Sequence, residues 1–136
     1  MFQGDAIPVR FKIVALWAAT LFLFAYGDIF GFFRPGLIKT VMAGTVSGLE
    51  INQGFLLGTS IYVAVPSVMV FLTLVLKHAI CRWANVVLGG VYAISVVALS
   101  IGETWAYYYL LTAIEAILLL LIVWHAWRWT ARPLER

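Results

Sequence analysis

The chain has 136 residues, of which 64% are hydrophobic and only 11% are charged, and its mean hydropathy is +1.01. Soluble proteins are roughly 45–50% apolar and about 25% charged, so this composition excludes a water-soluble enzyme, a disordered tail and a nucleic-acid-binding module. Nine Lys and Arg against six acids give a net charge of +3, and the single cysteine, Cys81, excludes an internal disulfide. We therefore expect an all-α integral membrane protein.

Four stretches are long and apolar enough to cross a bilayer as helices: residues 11–30, 55–76, 83–102 and 105–127. Each holds the roughly 20 residues that a helix needs to span about 30 Å of hydrocarbon. The connections after the second and third stretches are short, which forces consecutive helices to be antiparallel. The pattern predicts a single four-helix transmembrane domain over residues 1–136.

The first stretch also has features of a signal peptide. Arg10 and Lys12 precede its apolar run, and Ala25-Tyr26-Gly27 resembles a cleavage site. The polar segment before Arg10 is unusually long for a signal peptide, so we expect the stretch to be retained as a helix.

The one long connection, residues 31–54, holds apolar residues from Leu37 to Met42 at helix-like spacing. This spacing predicts a short interfacial or re-entrant helix, with an ordered loop as the alternative.

Basic residues are distributed unequally between the two ends of the predicted helices. Seven lie on the side of the chain termini, namely Arg10, Lys12, Lys77, Arg82, Arg128, Arg132 and Arg136. Only Arg34 and Lys39 lie on the other side, so the positive-inside rule predicts that both termini are cytoplasmic and that the 31–54 connection is outside.

Glu115 falls near the centre of the fourth stretch, about 15 Å from either water phase by helical rise. An ionised acid at that depth costs about 2.5–3.5 kcal/mol on insertion scales, which favours the neutral carboxyl group. One interpretation is that Glu115 hydrogen-bonds the fourth helix to a neighbour. The other is that it is a proton acceptor, an ion ligand or a ligand anchor.

Polar side chains on all four predicted helices indicate a candidate pocket. Lipid offers them no hydrogen bonds, so we expect them to converge in the outer half of the bundle and leave the inner half tighter and drier. The candidate ligand-binding residues are Glu115, Thr112, Tyr108, Tyr62, Tyr92 and Asp28. Asp28 should lie near the mouth, solvated at its helix end or paired with Arg34. The alternative is that these groups serve only helix packing.

Two small-residue pairs, Gly54 with Gly58 and Ala98 with Gly102, have the spacing that permits close helix contact. His78 and His125 lie in no metal-binding pattern, and no catalytic motif is recognisable. The sequence therefore predicts no catalytic residues, no metal and no cofactor.

Several residues and motifs together resemble a family of small bacterial four-helix membrane proteins that is known only as a domain of unknown function. They are Trp17, Tyr26-Gly27-Asp28, Pro35-Gly36, Gly54 with Gly58, Pro66-Ser67, Tyr92, Glu115 and Trp124-x-x-Trp127-x-Trp129. The general build is also similar to the DoxX-like group, some of whose members accompany quinone-linked oxidoreductases. The resemblance implies the architecture and a bacterial cytoplasmic membrane location, and it implies no activity.

These observations favour a non-enzymatic protein of the lipid bilayer. It is expected to bind an apolar or amphipathic small molecule, such as a lipid or a quinone-like ligand, or to dock a membrane protein partner as an accessory subunit. The alternatives are a proton-coupled carrier that uses Glu115, as a homo-oligomer, and an isomerase or quinone-linked redox accessory that uses Glu115 and Asp28 as acid and base.

Overall fold

The computed structural model describes residues 7–130, so Arg132 and Arg136 lie outside the described residues. In chain order the elements are α1 (Val9–Gly31), α2 (Leu37–Met42), β1 (Thr45–Val46), β2 (Leu49–Glu50), α3 (Gln53–Val75), α4 (His78–Leu99) and α5 (Ala106–Trp127). The protein is mostly helical, and α1, α3, α4 and α5 are each long and apolar enough to span a membrane.

The third long helix begins five residues earlier than predicted, at His78 instead of Trp83, and ends at Leu99 instead of Gly102. The predicted stretch begins at Trp83 because Lys77, His78 and Arg82 interrupt the apolar pattern before it. Arg82 fits inside the helix because its guanidinium donates to the carbonyl oxygens of Ala126 at 3.1 Å and Trp127 at 2.8 Å. The connection between α3 and α4 is therefore only Leu76 and Lys77.

The long connection contains the predicted short helix, α2, and a β-hairpin that was not predicted. Ser47 and Gly48 form the two-residue turn of the hairpin, with φ of 50° and 78°. Positive φ at both positions matches the twist of a tight hairpin, and glycine adopts it without steric cost. The Ser-Gly pair between two short β-branched or apolar segments was the available sequence signal.

The four long helices pack in the order α3, α1, α5, α4, and α3 and α4 have only a sparse contact although they are consecutive. We call the end with residues 32–52 and 100–105 the loop end, and the opposite end the terminal end. At the terminal end Arg10, in the first turn of α1, donates to the carbonyl oxygens of Thr73 and Leu76, both at 2.8 Å. Arg82, near the start of α4, likewise contacts the end of α5, so both pairs of helices are antiparallel.

These two arginines satisfy backbone groups that a helix cannot satisfy itself. The last four carbonyl groups of an α-helix have no intrahelical partner, and cations are favourable near a helix C-terminus. Arg10 supplies donors to the end of α3 and Arg82 to the end of α5. Residues that suggested orientation in the sequence therefore also hold neighbouring helices together.

A fully buried polar cluster joins three helices in the terminal half. Trp17 Nε1 on α1 donates to Asn85 Oδ1 on α4 at 2.7 Å, and Asn85 Nδ2 donates to Thr73 Oγ1 on α3 at 3.4 Å. Asn85 Nδ2 also donates to the Cys81 carbonyl oxygen at 2.9 Å. All four residues are 0% exposed. We refer to Trp17, Thr73, Cys81 and Asn85 as the Asn85 cluster.

The closest helix approach occurs at Gly89, which was not singled out in the sequence. A methyl group at Gly89 would lie 2.9 Å from Val123 Cγ2 and 3.3 Å from the Leu119 carbonyl oxygen, so α4 and α5 meet where α4 has no side chain. The two small-residue pairs, Gly54 with Gly58 and Ala98 with Gly102, are not where helices approach closely. Gly58 faces open space, and Gly102, with φ of 87°, belongs to the turn after α4.

We predict opposite effects for alanine at two adjacent glycines. Gly89→Ala should lower the free energy of unfolding by about 1–3 kcal/mol, because the new methyl group meets a β-branched side chain and backbone. Gly90→Ala should be neutral or stabilise by up to about 1 kcal/mol, because a methyl group at Gly90 would contact nothing within 4 Å and alanine favours a helix. Unfolding of the purified variants in detergent measures both. Equal effects would contradict the close approach.

Candidate functional site

A cavity of about 240 Å³ lies between the four long helices, in the half of the bundle near the loop end. Each of the four helices contributes residues to its wall. The lining residues are Phe24, Gly27 and Asp28 from α1, Thr59, Tyr62 and Val63 from α3, Val96 and Leu99 from α4, and Tyr108, Leu111, Thr112 and Glu115 from α5. We call this space the central cavity.

Five of the six residues predicted for a pocket line the central cavity: Asp28, Tyr62, Tyr108, Thr112 and Glu115. Tyr92 is not a lining residue. It is 6% exposed and lies behind Tyr62, with the two ring centroids 4.7 Å apart. The apolar part of the wall, which includes Leu111, Val96 and Leu99, was missed because an apolar side chain in a membrane helix carries no sequence signal for facing inward.

Tyrosines bridge the sparse contact between α3 and α4. The Tyr92 hydroxyl donates to the Tyr62 carbonyl oxygen at 2.9 Å, and the hydroxyl groups of Tyr62 and Ser95 share a hydrogen bond of 2.5 Å. The Tyr62 ring also lies 5.7 Å from that of Phe24 on α1. These contacts hold an aromatic wall on one side of the central cavity.

Glu115 is only 9% exposed and lines the central cavity, yet it forms no hydrogen bond with any of residues 7–130. Thr112, also 9% exposed, and the Tyr108 hydroxyl likewise have no hydrogen-bond partner among these residues. The interpretation of Glu115 as a hydrogen-bonding link between helices is therefore not what the structure shows. The Asn85 cluster supplies the hydrogen bonds between helices, and Glu115 faces the central cavity.

Asp28 is exposed at the mouth of the central cavity, but it does not pair with Arg34 as one prediction had it. Arg34 instead binds Glu103, with Nη1 to Oε1 at 2.8 Å and Nη2 to Oε2 at 3.0 Å. Glu103 presents both carboxylate oxygens to the planar guanidinium, and such two-point pairs are stronger than single contacts. Asp28 is thereby left without a basic partner among the described residues.

A second cavity of about 680 Å³ lies at the loop end and adjoins the first. Its wall combines residues of the long connection, including Arg34, Leu37 and Thr40, with residues of the α4–α5 turn, including Glu103. Leu99 and Tyr108 line both cavities. The two cavities are therefore neighbours that share part of their walls.

Arg34 and Glu103 each shift the pKa of the other. The Arg34 guanidinium, helped by the backbone amides of Thr104 and Trp105, holds the pKa of the Glu103 carboxyl below its usual value, although partial burial opposes this. The Glu103 carboxylate in turn raises the pKa of Arg34. Both groups therefore stay charged near neutral pH and tie the long connection to the α4–α5 turn.

Packing below the central cavity, toward the terminal end, is dense. The largest fully buried side chains of the described residues are Trp17, Ile13, Leu119, Ile122, Asn85, Thr20, Thr73, Pro66 and Cys81. Most of them lie on the terminal side of the Glu115 level. This layer of buried side chains lies between the central cavity and the terminal end, and that the terminal end is the inner side stays a prediction.

We predict that substitution to leucine affects stability differently at Asn85, in the packing core, and at Glu115, in the wall of the central cavity. Asn85→Leu should lower the free energy of unfolding by about 1–3 kcal/mol, because it leaves Trp17 Nε1 buried without an acceptor. Glu115→Leu should leave it unchanged or raise it, since no hydrogen bond is lost and a polar group without a partner among residues 7–130 is removed. Unfolding in detergent measures both variants. A larger loss for Glu115→Leu than for Asn85→Leu would contradict the hydrogen bonding described above.

The Arg34–Glu103 pair predicts a pH dependence of stability. The Glu103 pKa is lower in the folded protein than the roughly 4.3 of an unfolded glutamate, so its contribution is complete above that value and is lost as pH falls through the folded pKa. The difference in Tm between wild type and Glu103→Gln should therefore shrink as pH falls from about 6 to about 3. Glu50→Gln, at an exposed acid of the hairpin, is the control and should show no such change. A constant difference would contradict the pairing.

Comparison with known proteins finds one family. Residues 8–135, nearly the whole chain, match the model of a family of unknown function, DUF6326. No curated protein and no solved structure matches the chain. The predicted resemblance to a family of unknown function is confirmed, whereas the similarity to the DoxX-like group stays a prediction. The chain belongs to the family of unknown function DUF6326.

Proposed function

We propose that the protein is a non-enzymatic membrane protein that binds an apolar or amphipathic small molecule in the central cavity. The observation that carries this proposal is the cavity itself, which all four long helices line and which is faced by Glu115, a residue that is 9% exposed and has no hydrogen bond from residues 7–130. Buried polar groups are normally hydrogen-bonded, and their exceptions mark sites of function. A ligand would supply the missing partners.

The size of the central cavity limits what it holds. A cavity of roughly 150 Å³ accommodates one benzene ring, so about 240 Å³ suits a ring or a short branched chain. A lipid or quinone-like ligand would place only its head group or ring there. Any longer part would leave through the mouth beside Asp28.

The surface of the described helices supports insertion into a bilayer. Large apolar side chains are exposed along all four helices, for example Phe22 at 65%, Phe71 at 63% and Ile94 at 72%. A water-soluble monomer rarely exposes continuous apolar area of this kind. Five basic residues lie at the terminal end of the described chain, which supports cytoplasmic termini and an outward-facing mouth in a bacterial cytoplasmic membrane.

The floor of the cavity favours binding over transport. A proton-coupled carrier that uses Glu115 needs access to that group from both sides of the membrane in turn. The Asn85 cluster and its neighbours fill the terminal half with fully buried side chains. A path from the central cavity to the terminal end is therefore filled by packed side chains.

A cavity-filling substitution tests the proposed function. Gly27 lines the central cavity, and a methyl group there would only touch Leu111 Cδ1, at 3.6 Å. Gly27→Leu should therefore fill part of the cavity without disturbing the fold and should remove small molecules that co-purify with the wild-type protein. Extraction of the purified protein and mass spectrometry measure those molecules.

Gly90→Leu is the matched control, because Gly90 lies outside the cavity and faces open space. It should retain the co-purified molecules at the wild-type amount. If wild type, Gly27→Leu and Gly90→Leu carry the same molecules in the same amounts, the central cavity is not their binding site and the proposed function fails.

Cysteine labelling tests the orientation. In a Cys81→Ser background, an impermeant maleimide added to intact cells should label Ser47→Cys in the hairpin and should label Thr130→Cys only after permeabilisation. Labelling of Thr130→Cys alone in intact cells would invert the topology and place the mouth of the cavity in the cytoplasm.

A further inference from the structure

We propose that the group bound in the central cavity is an organic cation, an ammonium that carries small apolar substituents. This inference rests on the proposed function, since it specifies the chemistry of the ligand that the same cavity takes.

The charges around the cavity have one sign. Asp28 and Glu115 line it from α1 and α5, and no Lys, Arg or His of residues 7–130 belongs to its wall. Arg34 lines the adjoining loop-end cavity, where both of its terminal nitrogens bind Glu103. The central cavity therefore has two acids and no counter-charge of its own.

Glu115 is the group that a cation would satisfy. Glu115 is 9% exposed, lines the cavity and has no hydrogen bond from any described residue. Burying an ionised carboxyl group without a partner is expensive, and a cation at contact distance offsets that cost, so binding of a cation favours the ionised form of Glu115. A neutral ligand offers no such compensation, and an anion adds repulsion.

Aromatic residues in the cavity wall also favour binding of a cation. The rings of Phe24, Tyr62 and Tyr108 line the same space as the two acids. A cation over an aromatic face is attracted by the negative face of the ring, and sites for quaternary ammonium groups are built from such rings. Acids and rings together therefore favour an alkylated ammonium.

An inorganic cation fits this wall poorly. Calcium takes six to eight oxygen ligands and magnesium keeps an octahedral shell. Half of the lining residues are apolar or glycine, namely Phe24, Gly27, Val63, Val96, Leu99 and Leu111. An organic cation uses these surfaces for its substituents, whereas a metal ion gains nothing from them.

Two probes of one shape test the inference. Phenyltrimethylammonium and tert-butylbenzene have the same heavy-atom arrangement and differ in charge. Saturable binding is measured calorimetrically to the full-length protein in phosphatidylcholine nanodiscs, with empty nanodiscs as the reference for partitioning. We expect the cation to bind about tenfold more tightly than the neutral probe, a difference within the range of one charged contact.

Substitution of Glu115 should remove the preference for the cationic probe over the neutral one. Glu115→Gln should weaken binding of phenyltrimethylammonium about tenfold and leave tert-butylbenzene within about twofold, because shape is kept and charge is lost. Glu50→Gln, at an exposed acid outside the cavity, should change neither. If Glu115→Gln does not fold, Asp28→Asn at the exposed mouth serves instead, with an expected weakening of about threefold.

The outcomes separate this inference from the proposed function. Equal affinity for the two probes, tighter binding of the neutral probe, or a Glu115→Gln variant that keeps the wild-type preference each overturns the inference. Absence of saturable binding by the cation overturns it as well. None of these results decides the proposed function, which depends on what Gly27→Leu does to the co-purified molecules.

Discussion

The hydrogen bonds of Asn85 are the interaction on which the rest of the structure depends. The buried amide of Asn85, on α4, binds Trp17 of α1 and Thr73 of α3. Helix α5 packs closely against α4 at Gly89. Hydrocarbon offers no competing partner for these groups, so they are satisfied only when the three helices meet in this register. The terminal half of the bundle is thereby closed, and a cavity has room only toward the loop end.

The loop-end half differs because only some of its polar groups are satisfied by one another. Tyr62 and Ser95 hold α3 to α4, but Thr112 and Glu115 face the central cavity without a hydrogen bond from any described residue. A protein that only needed four packed helices would gain stability from apolar side chains at these positions. The contrast between the two halves is the physical basis of the proposed binding function.

Charged residues at the two ends have structural roles beyond orientation. Arg10 and Arg82 donate to the last carbonyl groups of α3 and α5, and Arg34 ties the long connection to Glu103 in the α4–α5 turn. Because Arg34 is engaged there, Asp28 stays at the cavity mouth with no basic partner among the described residues. The ion pair at the loop end thus helps to leave the central cavity with two acids and no cation.

The sequence by itself determined that four apolar helices form, that a short helix follows the first, and that Glu115 lies at mid-helix on one face with Thr112 and Tyr108. These features follow from helical period and from hydropathy, which are local properties of the chain. Only the tertiary structure decided that Arg34 pairs with Glu103, that Tyr92 lies behind Tyr62, and that the packing link is Asn85. Each of these depends on which helix faces are neighbours and at what height. Side-chain volumes and hydrogen bonds between helices set that arrangement, and no single segment encodes it.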